Sequence, residues 1–185
     1  MPYQHNDMWY DEINIGCGDH PLEGALNVDV RDLPLVDMVV DIVKLPFQDR
    51  SFENVHCSDV VEHLGHRDYF TAIDECCRVC QDRLYLKTLA LDKLLEQYQV
   101  GAIDEDALVL LLYGGQDYPE NTHQSIYPAP RILARLRTNG FVVDAAEYDA
   151  IGNIQITAHR ARADAPHVKP GATTAAEAEI AHASI

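Results

Sequence analysis

The chain has 185 residues and a formal net charge of −16; 47% of its residues are hydrophobic and 24% are charged. This length and composition predict one soluble globular domain with a sizeable core. So acidic a chain repels phosphate backbones, which disfavours a nucleic acid as substrate, and the same acidity favours a cationic ligand.

Three features of the sequence bear on its cellular location. No apolar run is long enough to cross a bilayer, and the polar first ten residues lack the basic start and apolar centre of a signal peptide. The five cysteines are an odd number, which in such a chain indicates reduced thiols. We therefore expect a cytoplasmic protein without a membrane segment, and the sequence leaves the oligomeric state open.

Strands dominate the first part of the chain. A short polar lead-in, whose aromatic residues are expected to cover a sheet edge, precedes an alternating strand at residues 12–16 that ends in a glycine turn. Further strands are predicted at residues 25–30, 36–42 and 53–58. Parallel neighbours usually need a crossover of about a dozen residues or more. Residues 17–24 are too few for this, so the first crossover helix is predicted to be truncated or missing.

Helical patterns dominate the second part. They are predicted at residues 66–80, 91–100, 104–112 and 130–139, with a polar loop at 113–127 and strands at 83–89, 141–148 and 151–159. The last two strands can pair as a hairpin. The fold class is therefore α/β: a Rossmann-like, mostly parallel sheet with a C-terminal antiparallel hairpin, formed by residues 1–160. The Ala-rich residues 161–185 are predicted to be a flexible tail.

The glycine turn and two acids point to a nucleoside site. Gly16 and Gly18 allow a close approach of the backbone to a ligand, because neither carries a Cβ. Asp29 ends the next predicted strand, where a carboxylate can accept both ribose hydroxyls, and Asp41 ends the strand after that. Acids at strand ends are also common in ordinary turns, but two on successive strands favour a ligand site at the carboxyl edge of the sheet.

Several stretches together carry a resemblance to a known family. They are Ile13-Asn14-Ile15-Gly16-Cys17-Gly18, Asn27-Val28-Asp29, Asp41-Ile42, the loop from Leu45 to Phe52, Val61-Glu62-His63-Leu64, and Tyr113-Gly114-Gly115-Gln116 with His123. On these residues the sequence resembles the class I methyltransferases that use S-adenosylmethionine. The resemblance covers roughly residues 12–159. No single motif is specific, but their order along the chain is.

The resemblance implies S-adenosylmethionine as cofactor and assigns residues to it. The glycine turn would lie under the methionine part, Asp29 would hold the ribose hydroxyls, and Asp41 would accept from the adenine amino group while Ile42 packs on the ring. Ser58 and Asp59 would lie at the sulfonium end. The complete set of expected cofactor-binding residues is Gly16, Cys17, Gly18, Asp29, Val30, Asp41, Ile42, Ser58 and Asp59. The third glycine often found in this loop is absent, because the sequence continues Asp19-His20-Pro21.

Two histidines are candidate general bases for the transfer. His63 follows Glu62, which could orient it; alternatively both residues only begin a helix and pair locally. His123 lies in the long polar loop, and such loops are often lids over a site. His56, inside a predicted strand, is expected to be structural.

A metal site is not predicted. Cys76, Cys77 and Cys80 lie near His66, but the spacing lacks the second ligand pair of a zinc site. These thiols are expected to be small buried hydrophobes on a helix face.

The sequence therefore predicts a methyltransferase that moves a methyl group from S-adenosylmethionine to an oxygen or nitrogen of a small-molecule or glycan-type acceptor. An alternative is a protein that binds S-adenosylmethionine or a related nucleoside without catalysis, as a regulatory or scaffolding subunit. A third hypothesis is a nucleic-acid or protein methyltransferase that acts through a basic partner.

Overall fold

A seven-stranded sheet forms the centre of the structure, a computed structural model that describes residues 2–162. Its strands are β3 (Glu12–Ile15), β4 (Leu26–Asp29), β5 (Met38–Val39), β6 (Phe52–Ser58), β7 (Cys80–Leu89), β8 (Phe141–Tyr148) and β9 (Asn153–Arg160). Their order in the sheet is β5-β4-β3-β6-β7-β9-β8. The pairs from β5 to β7 are parallel, whereas β9 is antiparallel to both β7 and β8. The mostly parallel sheet with a C-terminal antiparallel hairpin is thus confirmed.

Four α-helices accompany the sheet in the described residues: α1 (Tyr69–Val79), α2 (Leu91–Gln99), α3 (Glu105–Tyr113) and α4 (Ala129–Thr138). Helix α1 packs on β6 and β7 and also on α4, and α4 packs on β8. Their contact residues, among them Ile73 and Leu136, are fully buried in one core. The four predicted helices therefore form, with bounds that differ from the prediction by at most three residues at either end.

The opposite face of the sheet remains polar. Along β7 the residues alternate between buried Leu84 and Leu86 and half-exposed Tyr85 and Lys87. Strand β3 alternates in the same way, and on β6 His56 stacks on Tyr85 on the half-exposed face. Parallel sheets normally bury both faces under helices, so their strands lack this alternation. Helices α1 and α4, which pack on the sheet and on each other, cover the buried side of this alternation.

Instead of a first crossover helix, a series of turns joins β3 to β4. Asn27 holds this connection: its Oδ1 accepts from the backbone N–H of Leu22 at 2.7 Å and from Asn14 Nδ2 at 3.0 Å, and its Nδ2 donates to the carbonyls of Leu22 and Ala25. The buried amide thus satisfies backbone groups that a helix would satisfy internally. The prediction that this helix is truncated or missing agrees with the structure.

One local prediction was wrong, and one element was not predicted. The strand predicted at residues 36–42 is only Met38–Val39, because the Asp41 side chain accepts from Val43 N–H and caps a short 3-10 helix, Ile42–Lys44. The lead-in contains a hairpin, β1 (Tyr3–His5) and β2 (Met8–Tyr10). Tyr3 packs against the rings of Phe47 and Phe52, and Phe52 begins the central strand β6 and not an edge strand. The predicted flexible tail lies outside the described residues, except for positions 161 and 162.

Candidate active site

A cavity of about 410 Å³ opens at the carboxyl ends of β3, β4 and β6. Strand order reverses between β3 and β6, and such switch points are where open α/β sheets bind ligands. Its walls come from the ends of four strands, β3 to β6, from the segment of His63 and Leu64, and from the loop before α4: Ile15, Gly16, Val28, Asp29, Val30, Arg31, Val40, Asp41, Ile42, Asp59, Val60, His63, Leu64, Tyr118, Pro119, Glu120 and Gln124. Six of the nine residues expected to bind cofactor therefore border one cavity: Gly16, Asp29, Val30, Asp41, Ile42 and Asp59.

The glycine turn forms one wall of this cavity. Gly16 and Gly18 have φ values of +68° and +52°, which side-chain-bearing residues rarely adopt. A Cβ on Gly16 would lie 2.2 Å from Cγ2 of Val60, so this glycine also makes room for a neighbouring side chain. The sequence predicted only its closeness to a ligand and missed the contact with Val60. Cys17 is buried within the turn, and neither it nor Gly18 lines the cavity.

Asp29 connects the turn to the end of β4. Its side chain is only 6% exposed. Oδ2 accepts from Gly18 N–H at 2.9 Å, and Oδ1 accepts from Arg31 N–H at 2.9 Å and from Arg31 Nε at 3.2 Å. A carboxylate offers about four lone-pair sites, so it can still accept from a ligand hydroxyl.

Asp41 and Ile42 form the wall nearest to β5. Asp41 is exposed, and its Oδ1 accepts from Val43 N–H at 3.0 Å. Ile42 is buried and gives the cavity an apolar surface beside that carboxylate. An acceptor next to an apolar wall suits the edge and face of a purine base.

Asp59 lies at the carboxyl end of β6. Its φ is +56°, a conformation in which aspartate is better tolerated than most residues. Lys87 Nζ contacts Asp59 Oδ2 at 2.8 Å and Asp149 Oδ2 at 3.9 Å. The preceding Ser58 is exposed and does not line the cavity. Strand β6 thus delivers a carboxylate with a fixed cation beside it.

His63 and His123 are in contact next to the cavity. Their ring centroids are 4.8 Å apart with the rings edge to face, and His63 itself lines the cavity. Burial and the neighbouring His123 lower the pKa of His63, whereas the backbone of Thr122 and the charge of Asp59 partly oppose this. His63 is therefore neutral at pH 7, and its buried Nδ1 has no hydrogen-bond partner within residues 2–162.

His123 is held from the other side by α3. Its Nδ1 lies 2.7 Å from the carbonyl oxygen of Leu111. A carbonyl only accepts, so Nδ1 carries the proton and Nε2 of the neutral ring is free to accept one. This contact fixes the tautomer of the second candidate base.

Glu62 points away from its neighbour. The carboxyl group is 1% exposed, and Oε2 accepts from the Thr88 hydroxyl at 2.9 Å. Burial raises the pKa of Glu62 to about 7. In the part of the chain that the structure describes, no hydrogen bond joins the Glu62 side chain to His63. The predicted role of Glu62 in orienting His63 is therefore not supported by a direct contact.

The loop after α3 covers the cavity, and we call residues 114–124 the lid. Tyr118, Pro119 and Glu120 line the cavity from this side, and Gln124 N–H donates to the Glu62 carbonyl at 2.8 Å. Sequence reasoning noted the long polar loop and selected only His123 from it. The aromatic residue near the centre of this loop, Tyr118, was the sequence feature that could have indicated a contact with the cavity.

The cysteines and His56 lie away from this chemistry. All five thiols are buried and none is in a disulfide. Within residues 2–162 no group of three or more His, Cys, Asp and Glu side chains is arranged to hold a metal. His56 contacts Glu12 at 3.0 Å and stacks on Tyr85, outside the cavity wall.

Strand order and cavity position define the class I methyltransferase fold. A sequence family described as a methyltransferase domain matches residues 15–86. The fold and this match over residues 15–86 make the chain similar to the class I methyltransferases that use S-adenosylmethionine. No curated protein matches the sequence.

Solved structures with low sequence identity share the fold. The magnesium protoporphyrin IX methyltransferase of Synechocystis PCC 6803, with bound S-adenosylhomocysteine, is 16% identical, with a TM-score of 0.52 over 82% of this chain and 74% of that chain. A methyltransferase from Methanosarcina mazei is 16% identical, with a TM-score of 0.56 over 82% and 93%. The cyclase SpnF is 15% identical, with a TM-score of 0.52 over 81% and 74%. These neighbours differ in their chemistry, so the fold alone does not give the acceptor.

The described helices are short compared with a membrane span. None of those within residues 2–162 is long and apolar enough to span one.

Proposed function

We propose that the protein transfers a methyl group from S-adenosylmethionine to an oxygen or nitrogen atom of a small-molecule or glycan-type acceptor. The observation that carries this proposal is the position of His63, whose pKa is lowered by burial and by His123, at the wall of an acid-lined cavity. An oxygen or nitrogen nucleophile loses a proton during methylation, and His63 is placed to take it.

The residues around the cavity fit an adenosyl ligand. We propose that Asp29 binds the ribose hydroxyls, that Asp41 and Ile42 bind adenine, and that Asp59 lies at the sulfonium end. Support comes from their common cavity and from an excess of acidic over basic side chains on its walls, which suits a cation. Cys17 and Gly18 shape the turn, and Ser58 precedes Asp59. We therefore propose that Cys17, Gly18 and Ser58 position the neighbouring residues that line the cavity.

The chain itself does little bond chemistry in this proposal. When bound, S-adenosylmethionine supplies a methyl group that its sulfonium already activates. The protein aligns the acceptor, which can supply most of the rate. His63 accepts the acceptor's proton, a step worth about 10²–10⁴-fold in rate. His123 packs on His63, and its own Nε2 is the second candidate base.

The acceptor class rests on charge. A net charge of −16 disfavours a polyanionic acceptor such as RNA or DNA, because their binding requires basic residues that neutralise phosphates.

Calorimetric titration with S-adenosylhomocysteine tests the cofactor site. We expect wild type to bind, and Asp29→Asn to bind at least tenfold more weakly, because an amide replaces a charge-assisted acceptor with a weaker one. The matched control is Asp82→Asn, an exposed acid at the start of β7. Equal affinity of wild type and Asp29→Asn would contradict the site.

Turnover of an acceptor panel tests the base. S-adenosylhomocysteine release is measured with sugars, small acids and amines, and with RNA and peptides as competing classes. For an active acceptor we expect His63→Gln to lower kcat by about 10²-fold or more while cofactor affinity is kept. The acid limb of the pH profile should lie below pH 6.5, because the pKa of His63 is lowered from that value. Unchanged kcat in His63→Gln, or turnover only with RNA or peptides, would overturn this part of the proposal.

A further inference from the structure

Arg31 lies where three walls of the cavity meet. Its Nε contacts Asp29 Oδ1 at 3.2 Å, and its guanidinium lies 4.7 Å from the centre of the Tyr118 ring. A Cβ placed on Gly18 would be 3.2 Å from Nη2. The side chain is 25% exposed. One cation therefore joins the end of β4, the glycine turn and the lid.

Tyr118 brings the lid to that cation. It is 39% exposed and lines the cavity together with Pro119 and Glu120. Backbone hydrogen bonds from Gln116 to Asn121 and from Asn121 to Tyr118 make this part of the lid a compact turn. At its far end the lid is bonded to the segment that carries His63, through Gln124 N–H to Glu62 O and Gln124 Nε2 to His63 O. The lid is thus anchored at its end and touches Arg31 near its middle.

We propose that Arg31 and Tyr118 form a latch that retains an adenosyl ligand in the cavity. This inference rests on the proposed function, because it places the ribose at Asp29. A ligand bound there lies beneath the lid, and it leaves only when the Tyr118 ring parts from the guanidinium. Arg31 itself is held by the same carboxylate that receives the ribose, so the latch and the ligand share one anchor.

The chemistry of the pair sets the size of the effect. A guanidinium over an aromatic face is held by the ring quadrupole, and the interaction strengthens where water is partly excluded. Its loss should speed ligand release by about 3- to 30-fold. A leucine fills similar space without the quadrupole, whereas a phenylalanine keeps the ring and loses only the hydroxyl.

The test measures dissociation of S-adenosylhomocysteine by stopped flow, using displacement by excess unlabelled ligand. We expect Tyr118→Leu and Tyr118→Ala to release the ligand about 3- to 30-fold faster than wild type. Tyr118→Phe should stay within about twofold. Tyr113→Ala is the matched control, because Tyr113 is a 56% exposed tyrosine at the end of α3 and does not line the cavity.

A double-mutant cycle separates a latch from a general loosening of the loop. In an Arg31→Ala background, Tyr118→Leu should cause no further acceleration, because the partner of the ring is already gone. The latch is overturned if Leu and Phe release the ligand equally fast, or if the effects of the two substitutions simply multiply. Failure of wild type to bind S-adenosylhomocysteine overturns the proposed function and the latch together. Tight binding with unaltered release in Tyr118→Leu overturns the latch alone.

Discussion

Among the single residues of the site, Glu62 couples the protein's stability to pH. The native state holds its proton up to a pKa of about 7, whereas the ordinary value is 4.5. Between these values the folded chain binds more protons than the unfolded chain, so the free energy of unfolding falls as pH rises through this window. Above pH 7 the buried carboxylate is charged, and its desolvation costs stability.

Glu62→Gln should therefore stabilise the protein in a pH-dependent way. Glutamine keeps a carbonyl oxygen for the Thr88 hydroxyl and cannot ionise. We expect a gain of about 2–3 kcal/mol at pH 8 and a much smaller one at pH 5. Thermal unfolding followed by circular dichroism at both pH values measures this. Glu53→Gln, at an exposed position of β6, is the control. Equal changes in melting temperature at the two pH values would show that charge is not the cause.

Single residues also mark the limit of sequence reasoning about the site. Asp29 and Asp41 could be found because acids that follow strands at a glycine turn are a local pattern. Arg31 and Tyr118 are 87 positions apart in the numbering, and only the folded loop brings them together. No local pattern indicates such a pair. The base proposed at His63 stays a prediction for the same reason: its importance depends on what approaches it in space.

Among the elements, the turn after β3 has the tightest packing requirement. Gly16→Ala should destabilise the folded protein for two reasons. Alanine rarely adopts a φ of +68°, and its Cβ would lie only 2.2 Å from Val60 Cγ2. We expect a loss of about 2–4 kcal/mol in the free energy of unfolding, together with weaker cofactor binding. Denaturant titration and calorimetry measure the two effects.

Gly24→Ala isolates the backbone contribution. Gly24 has a φ of +83°, but nothing lies within 4 Å of its added Cβ. We expect only about 1–2 kcal/mol there. Adding Val60→Ala to Gly16→Ala should restore part of the lost stability. If Gly16→Ala and Gly24→Ala lower the free energy of unfolding by the same amount, the contact with Val60 does not contribute to the effect.

Elements with a clear period were predictable. The apolar spacing of α1 and the alternation in β7, β8 and β9 gave their positions within a few residues. The predicted strand at 36–42 failed because apolar residues alone do not reveal that Asp41 caps a helical turn. The hairpin of β1 and β2 was missed because its turn contains no glycine, the residue that marks such turns most clearly. Asn6 and Asp7 adopt the positive φ values of this turn instead.

For the whole molecule, the decisive feature is a sheet in which strands β3 and β7 alternate between a buried and a half-exposed face. The alternation of apolar and polar residues in β3 and β7 indicates a half-exposed face, because strands covered on both faces are apolar throughout. The polar face is stabilised by its own contacts, such as Glu12 with His56 and Arg83 with Asp144. The turn network around Asn27 replaces a helix without leaving its buried amide unbonded.

The position of β9 has a consequence for how the protein is made. It lies between β7 and β8, and it pairs with β7 from Arg83–His159 to Leu89–Asn153. A ribosome completes β7 more than sixty codons before it reaches β9. Throughout that interval the nascent chain carries an unpaired β7 edge, which is a template for association with other chains. The strand of the sheet that is translated last, β9, therefore ends the period in which the β7 edge can associate with other chains.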